Sequence, residues 1–467
     1  MFYKLKTVAR SAVIKNPVLG GTFIVTVGVF SGSIFSYLLQ IGLGYLLSIE
    51  DFGTFNAFLS LSIIFGIPAG AIATSLIKKV TELLACCDFY TLKHFFWSFT
   101  KLSLALGIAL SLLFIILNNQ VSAYLNIGRT PVLYVFTVFL AFSFLNVAPQ
   151  SYLQGLLRFK AYAFLSLVSQ FFRLIIPLGF VYAGLAVSGA YMGLTVVGVL
   201  SFVVSILLLK KNFKQGSSPP PNSVNIHLPH LYKALLLFSI PVLFINSGVA
   251  LLNNIDIILV KHFFTPYNAG IYAGVVTMSK VFLFGASVVQ VVMFPHISHL
   301  YASKLKFNVS QANTTGLPVD EAGFQSRSET EETTALAVVL HNRFIKFLLL
   351  QLLLILGGLV CFALFPQIIN SIMFRGKFTE SVAYLPLFSV FMAFYILITF
   401  LSMFLLAINR TKAFLIILPS CVLQYTLISF FNTNLYSVIE INILSAGIAC
   451  LFITTYAIKS LYEGNRR

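Results

Sequence analysis

The sequence predicts an all-α polytopic membrane protein with twelve transmembrane helices, arranged as two parallel-repeat six-helix bundles around a central cavity. Three observations lead to this fold class: the apolar composition, the recurrence of apolar runs long enough to cross a bilayer, and a weak repeat between the two halves. Of the 467 residues, 58% are hydrophobic and 9% are charged, whereas soluble domains carry about 25% charged residues. Water therefore cannot surround most of this chain.

The apolar runs are about twenty residues long, which matches the thickness of the hydrocarbon core of a membrane. Helices are the expected spanning element, because a helix satisfies its own backbone hydrogen bonds within lipid. The predicted spans are 18–47, 54–77, 96–117, 131–153, 161–183, 187–209, 234–260, 269–294, 343–366, 382–407, 412–431 and 436–459.

The basic residues predict the orientation, because Lys and Arg collect in the cytoplasmic loops of membrane proteins. With the N-terminus inside, twenty-four of the 30 Lys and Arg residues fall in inside segments and four fall in outside segments. Both termini are therefore predicted to be cytoplasmic. This asymmetry also explains the net charge of +17. No soluble segment is large enough to present a nucleic-acid-binding face, so nucleic acid is not an expected partner.

Two polar segments divide the chain. The connector 210–233 is basic and rich in Ser and Pro, and it separates an N-terminal bundle, 1–209, from a C-terminal bundle, 234–467. The second segment, 304–340, is polar and acidic and lacks an apolar face. Such a composition predicts a polar cytoplasmic loop without a packed core.

The two halves show a weak repeat in the turn and helix that follow the first span of each half. A shift of 217 residues aligns Gly53 with Gly270, Phe55 with Tyr272, Ser62 with Ser279, and Phe65 with Phe282. Six spans per half is an even number, so both halves have the same orientation. Parallel repeats about an axis along the membrane normal are a common transporter plan.

Two cations lie deep in predicted spans. Arg173 is about twelve residues into the fifth span and Lys280 about ten into the eighth, which places each roughly 15–18 Å deep at 1.5 Å per residue. A Lys or Arg at that depth costs about 2.5–3.5 kcal/mol. Both side chains are therefore expected to face a wet cavity or a partner, and we interpret them as substrate-binding residues for an anionic group. The alternative is a structural ion pair, for which few acids are available.

Polar residues also gather near the outer end of the seventh span. Asp256, Asn253 and Asn254 lie there, and Gln40 holds the corresponding position in the first span. One interpretation is a coupling or gating site for H+ or Na+, because a carboxylate in a partly dry site titrates closer to neutral pH. The other is an interfacial ion pair between Asp256 and Lys261.

The motifs of common enzymes are absent from the sequence. There is no GxxxxGK[ST] phosphate loop, no HExxH and no GxSxG, and the cysteines show no metal-binding or disulfide spacing. No catalytic residue, metal site or cofactor is predicted.

Three stretches resemble a known family. "LGYLLSIEDFGTFNAFLSLSIIFGIPAGAIATSLIKK" (43–79), "SYLQGLLRFKAYAFLSLVSQFFRLIIPL" (151–178) and "NNIDIILVKHFFTPYNAGIYAGVVTMSKVFLFGASVVQVVMFPHISHLYA" (253–302) are similar to the matching parts of Wzx-type polysaccharide flippases. These belong to the multidrug/oligosaccharidyl-lipid/polysaccharide exporter superfamily. The acidic segment at 304–340 departs from the family pattern.

The resemblance implies two six-helix bundles in the bacterial cytoplasmic (inner) membrane and a cationic cavity. It implies that the chain moves undecaprenyl-pyrophosphate-linked oligosaccharide between leaflets, among membrane lipids, with a polysaccharide polymerase and chain-length machinery as partners. One alternative is a cation-coupled multidrug exporter of the same superfamily, which would rely on intramembrane acids. Another is a membrane-embedded polymerase or ligase, which would need a large outside loop.

Overall fold

The computed structural model describes residues 17–85, 89–127, 131–215, 243–244, 246–313, 319–408 and 410–466. Within these ranges the chain consists of helices and turns, and no β-strand occurs. The chain divides into two compact units. One comprises Met1–Ala250 with Ile257–Gly274, and the other comprises Leu251–Asp256 with Val275–Arg467.

The first unit contains the helices of the N-terminal half, most of the later helix Ile255–Phe263 from Ile257 onward, and the first turns of the helix Pro266–Asn313 as far as Gly274. In chain order its helices are α1 (Pro17–Leu46), α2 (Ile49–Ala85), α3 (Phe89–Ile116), the short α4 (Asn118–Tyr124), α5 (Pro131–Ser143), α6 (Val147–Gly155), α7 (Phe159–Phe180) and α8 (Ala186–Gln215). The helix α9 (Ile255–Phe263) follows residues 246–252, which are also helical.

The second unit contains most of the helices of the C-terminal half. They are α10 (Pro266–Asn313), α11 (Val319–Leu364), the short α12 (Pro366–Phe374), α13 (Ser381–Ala407), α14 (Phe414–Phe430) and α15 (Leu435–Arg466). The pair α13 and α15 and the pair α14 and α15 pack closely along their lengths.

Eight helical stretches in the described part of the chain are long and apolar enough to cross a membrane. One of them, Phe159–Lys210, contains two helices, because a turn with a left-handed Gly184 (φ 89°) and Ala186 (φ 44°) separates α7 from α8. Glycine tolerates positive φ without steric cost. The chain is therefore a multi-pass membrane protein with antiparallel neighbours at this turn.

Two predicted spans differ from continuous helices. The fourth is broken by a turn at residues 144–146 between α5 and α6, and the seventh by a turn at residues 253–254. Asparagine stands in both turns, and its side chain competes for backbone hydrogen bonds and favours turns over helix interiors. Residues 234–242 and 245 of the seventh span, and 216–233 of the connector, lie outside the described residues.

The prediction of a polar loop at 304–340 is wrong for most of that segment. The helix α10 continues to Asn313 and α11 begins at Val319, while residues 314–318 lie outside the described residues. The 48-residue α10 is about 72 Å long at 1.5 Å per residue, more than twice the ~30 Å hydrocarbon core. Lys, Gln, Glu and Ala favour helices in water as well, so the helices do not end where the apolar runs end.

The two glycines that the repeat aligned pack against each other within the first unit. A Cβ on Gly53 would lie 2.6 Å from the backbone nitrogen of Gly270, and a Cβ on Gly270 would overlap the carbonyl of Ile49. Real Cβ atoms do not approach so closely, so only glycine permits this backbone-to-backbone contact between the starts of α2 and α10.

Aromatic packing fixes α8 against α2 and α5. The ring of Tyr191 lies between Phe55, Phe58 and Phe136, at centroid distances of 5.5, 6.0 and 5.2 Å. Its hydroxyl donates a 3.0 Å hydrogen bond to the Phe55 carbonyl oxygen. A buried tyrosine needs such a partner. This cluster holds the helix that forms one wall of the cavity described next.

Candidate functional site

Arg173 lies in the interior of α7 and is partly buried. Its Nε is fully buried and has no hydrogen-bond partner among the residues that the structure describes. Within that part of the chain its electrostatic neighbour is the phenol of Tyr191, and no carboxylate stands beside it. A buried donor without a partner costs about 1–3 kcal/mol. Arg173 is thus a cation held in the first unit without a balancing acid among the described residues.

A cavity of about 210 Å³ lies beside Arg173. Its walls contain one charged group, three side-chain amides, several hydroxyl groups and two aromatic rings. The polar residues that line it are Ser143, Asn146, Gln150, Ser169, Gln170, Arg173, Thr195 and Ser201, and the aromatic ones are Phe139 and Phe142.

Hydrogen bonds to neighbouring helices orient several of these polar groups. Asn146, in the turn between α5 and α6, donates from Nδ2 to the Gly198 carbonyl oxygen at 2.9 Å. The Ser201 hydroxyl donates to the Ser169 hydroxyl at 2.8 Å, which ties α8 to α7. The bond from Nδ2 fixes the orientation of the Asn146 amide. Its Oδ1, a hydrogen-bond acceptor, is buried without a partner in the described part of the chain.

The helix α1 supports the same wall. The Ser36 hydroxyl donates to Oε1 of Gln170 at 3.0 Å, and Gln170 packs against Gly32. Gln40 lies one turn after Ser36 on α1, and its Oε1 is buried without a hydrogen-bond partner among the described residues. The structure therefore places Gln40 on the helix that packs along α7, in the first unit.

Lys280 has different surroundings. It lies on α10 in the second unit, with 9% of its surface exposed, and it interacts electrostatically with the carboxylate of Asp256. Asp256 is 1% exposed and stands in the first turn of α9. The N-terminus of a helix favours a negative charge. The predicted deep cation of this unit therefore has an acidic neighbour.

Two amides extend this pair into a network. Nδ2 of Asn442 on α15 donates to Oδ2 of Asp256 at 3.1 Å. Nε2 of Gln424 on α14 donates to Oδ1 of Asn442 at 2.8 Å and to the Leu252 carbonyl oxygen at 3.3 Å. All the members are buried. The network joins the turn at residues 253–254 to α14 and α15.

The four residues predicted to form one coupling or gating site lie in two different units. They are Asp256, Asn253, Asn254 and Gln40. Asn253 and Asn254 form the turn before α9, and Asn254 is buried. They belong with Asp256 to the second unit, whereas Gln40 belongs to the first.

Lys261, just beyond the predicted seventh span, lies in the first unit and is 2% exposed. Burial lowers the pKa of Lys261, and the nearby carboxylates of Glu50 and Asp51 offset part of that shift. The acids that stabilise its charge come from the start of α2. Next to it, the ring of His262 stacks on Tyr124 at 3.8 Å.

Reasoning from charge alone missed Asn442, Gln424, Asn146 and Gln170. The available signal was weak: each is a neutral amide inside an otherwise apolar run, as in "SCVLQYTL" and "IEINIL". Buried amides need partners, so such residues mark candidate network positions even where the partner is unknown.

A family model described as "Polysaccharide biosynthesis protein" matches residues 18–301. No curated protein matches the chain significantly. Several solved structures share its fold. An inward-facing multidrug resistance MATE family transporter of the MOP superfamily has a TM-score of 0.65 at 12% identity, covering 92% of this chain and 96% of that one.

Two other solved structures are similar over nearly their whole length. The lipid II flippase MurJ, in an inward closed conformation, has a TM-score of 0.61 at 14% identity, covering 94% of this chain and 90% of that one. A MOP superfamily transporter from Pyrococcus furiosus, whose binding pocket is described as reversed in polarity, has a TM-score of 0.56 at 13% identity, covering 95% and 96%. At these identities the likeness establishes that the chain shares the fold of these structures. Since the family model covers more than half of the chain, the protein belongs to the polysaccharide biosynthesis protein family.

Proposed function

We propose that the protein is a flippase that translocates undecaprenyl-pyrophosphate-linked oligosaccharide across the bacterial cytoplasmic membrane by alternating access. The observation that carries the proposal is Arg173: a cation without an acidic neighbour among the described residues, at the edge of a cavity lined by amides and hydroxyls. Arginine suits the recognition of carboxylate and phosphate oxygens. The polar groups around it suit sugar hydroxyls.

Membership of the polysaccharide biosynthesis protein family supports this proposal. The likeness to a lipid II flippase supports a lipid-linked saccharide as the class of substrate. In this reading Arg173 binds the anionic part of the substrate. Lys280 keeps its place in the proposal as a binding residue only if the substrate displaces it from Asp256.

The second candidate is a multidrug exporter, which the fold of the MATE family transporters supports. The observation that favours it is the buried carboxylate of Asp256, the kind of group that attracts a cationic drug. Lys280 already interacts electrostatically with that carboxylate, so a cationic ligand would have to compete with a resident ammonium group. This competition makes the flippase the better supported of the two.

We also propose that Asp256 couples transport to H+ or Na+. Its position at the broken seventh span, beside Lys280 and Asn442, gives a carboxylate whose partners change if the turn moves. Asp256→Asn is expected to abolish the dependence of transport on pH or sodium while retaining the Asn442 contact. An unchanged dependence in a well-inserted variant would contradict the coupling role.

The test of the proposed function is complementation in bacteria that lack their own oligosaccharide flippase. Expression of the chain is expected to restore surface polysaccharide, and Arg173→Gln is expected to reduce it about tenfold, because a lost charge-assisted hydrogen bond contributes about 1.5–3 kcal/mol. Resistance to cationic drugs is measured in the same strains. Drug resistance without restored polysaccharide would favour the exporter.

The proposal includes the location and the partners. Both termini are cytoplasmic in the inner membrane, which terminal reporter fusions active only in the cytoplasm or only outside it would check. A polysaccharide polymerase and chain-length machinery would use the translocated product, and co-purification from the complemented strain tests that association.

A further inference from the structure

The cavity beside Arg173 is small. Its volume of about 210 Å³ lies below the ≈ 300–1,000 Å³ of ordinary ligand pockets. That volume is enough to enclose about one sugar ring, so the remaining sugars and the lipid of a longer ligand would lie outside this cavity.

The charge of the cavity fits a ligand with a single negative charge. Among the described residues that line it, Arg173 is the only charged one. One guanidinium balances one carboxylate, with two parallel hydrogen bonds. A pyrophosphate would bring at least one further negative charge into a partly buried site, and uncompensated buried charge is costly.

Two polar atoms without partners restrict which chemical groups the ligand can carry. Nε of Arg173 is a buried donor and Oδ1 of Asn146 is a buried acceptor, both without partners among the described residues. Phosphate and carboxylate oxygens only accept hydrogen bonds, so neither satisfies Asn146. A hydroxyl group donates as well as accepts. Phe139 and Phe142 supply apolar wall for the carbon face of a ring.

We propose that this cavity binds one sugar ring that carries one carboxylate, as a uronic acid does. The carboxylate pairs with Arg173, and a ring hydroxyl donates to Asn146. The inference rests on the proposed function in one respect: it takes this ring to be one residue of the lipid-linked oligosaccharide. It assigns the pyrophosphate of the same substrate to a place outside this cavity.

The experiment uses the full chain in lipid nanodiscs and three soluble probes: methyl glucuronide, methyl glucoside and inorganic pyrophosphate. Dissociation constants are measured by saturation-transfer difference NMR, with competition between probes. Methyl glucuronide is expected to bind about tenfold or more tightly than methyl glucoside, because the carboxylate adds charge-assisted hydrogen bonds. Pyrophosphate is expected not to displace the glucuronide.

Matched variants locate the binding. Arg173→Gln is expected to erase the preference for the glucuronide, and Asn146→Ala to weaken both sugars alike. Lys101→Ala changes an exposed cation on α3 of the same unit and is expected to bind like the unmodified chain. Arg173→Lys keeps the charge without the planar fork, so it provides a folded comparison with intermediate affinity if Arg173→Gln does not fold.

Three results would overturn the inference: equal binding of the two sugars, displacement of the glucuronide by pyrophosphate, or no saturable sugar binding. Its failure is distinguishable from failure of the proposed function. A chain that restores surface polysaccharide but lacks the glucuronide preference remains a flippase with a different subsite. A chain that binds the glucuronide through Arg173 but translocates no lipid-linked saccharide retains the subsite without the proposed function.

Discussion

Arg173 in the first unit and Lys280 in the second are both basic residues deep in apolar helices, yet their surroundings differ in kind. Lys280 interacts electrostatically with a buried carboxylate that accepts a hydrogen bond from Asn442, which is itself held by Gln424. Arg173 lines a polar cavity, and its Nε has no hydrogen-bond partner among the residues that the structure describes. Lys280 therefore interacts with a group of the protein itself, whereas Arg173 retains a hydrogen-bond donor that is available to a ligand.

The depth of a basic residue in an apolar helix is therefore not enough to identify it as a ligand-binding residue. A buried cation with a buried acid forms part of the structure, because removal of either partner leaves the other uncompensated. A buried cation without an acidic partner contributes little to the stability of the fold, and this favours a role in ligand binding. Substitution of Lys280 should therefore lower stability, whereas substitution of Arg173 should lower transport with little change in stability.

The largest effect is expected at Lys280. Lys280→Met removes the ammonium group that interacts electrostatically with the buried Asp256 carboxylate, and a buried charge left without its compensating charge costs up to about 3–5 kcal/mol. A strong fall in the thermal unfolding midpoint of the purified protein is expected. Lys346→Met, at an exposed lysine of α11, is the matched control and should leave the midpoint unchanged.

A double substitution checks the cause. Lys280→Met combined with Asp256→Asn removes both charges and should recover most of the lost midpoint. If the double variant is as unstable as the sum of the two single ones, Lys280 and Asp256 act independently, and the contrast between the units fails.

A smaller effect is expected in the amide network. Asn442→Ala removes the donor to Asp256 and the acceptor for Gln424, and unsatisfied buried groups cost about 1–3 kcal/mol. The thermal midpoint should fall, though less than for Lys280→Met. Asn119→Ala, at an exposed position of α4, provides the comparison. A midpoint for Asn442→Ala equal to that of this control would argue against a stabilising network.

The smallest effect on stability is expected at Arg173. Arg173→Gln removes a charge that has no acid beside it in the described part of the chain. The free energy of unfolding should therefore stay within about 0.5 kcal/mol of the original or rise, and the thermal midpoint should not fall appreciably. Transport should nevertheless fall, as described for complementation. A destabilisation as large as that of Lys280→Met would make Arg173 a structural residue and remove the contrast.

The sequence predicted much of the fold because the length of an apolar run is a direct physical requirement of the membrane. Most predicted spans coincide with helices. The turns at 144–146 and 253–254 escaped prediction, since mean hydropathy does not register one or two asparagines within a long apolar run. The C-terminal part of α10 and the N-terminal part of α11 were not predicted as helix, because a polar helix in water shows no stripe of apolar residues in its sequence.

The candidate site was predictable only in part. Arg173, Lys280 and Asp256 stood out, because a charge in an apolar run is costly and needs an explanation. Their neighbours did not, because Asn442 lies 186 residues from Asp256 along the chain and Asn146 reaches Gly198 across a helix pair. Which amide contacts which charge depends on how the helices pack, and the pattern of residues along one sequence does not specify that pairing.

The turn at residues 253–254 is a site where hydrogen exchange can report the entry of water into the membrane-spanning part of the protein. Amide hydrogens in an unbroken membrane helix exchange with solvent extremely slowly, because each is bonded to the preceding turn and kept from water. The turn at residues 253–254 interrupts this series of helical bonds just before α9, and there the Asn254 amide donates a turn bond to the Leu251 carbonyl oxygen at 3.1 Å. Backbone bonds at such a break open more readily than those inside a continuous helix. The rate of deuterium uptake by the amides at the start of α9 should therefore rise when water reaches this part of the membrane span. The measurement needs no attached label and no substitution.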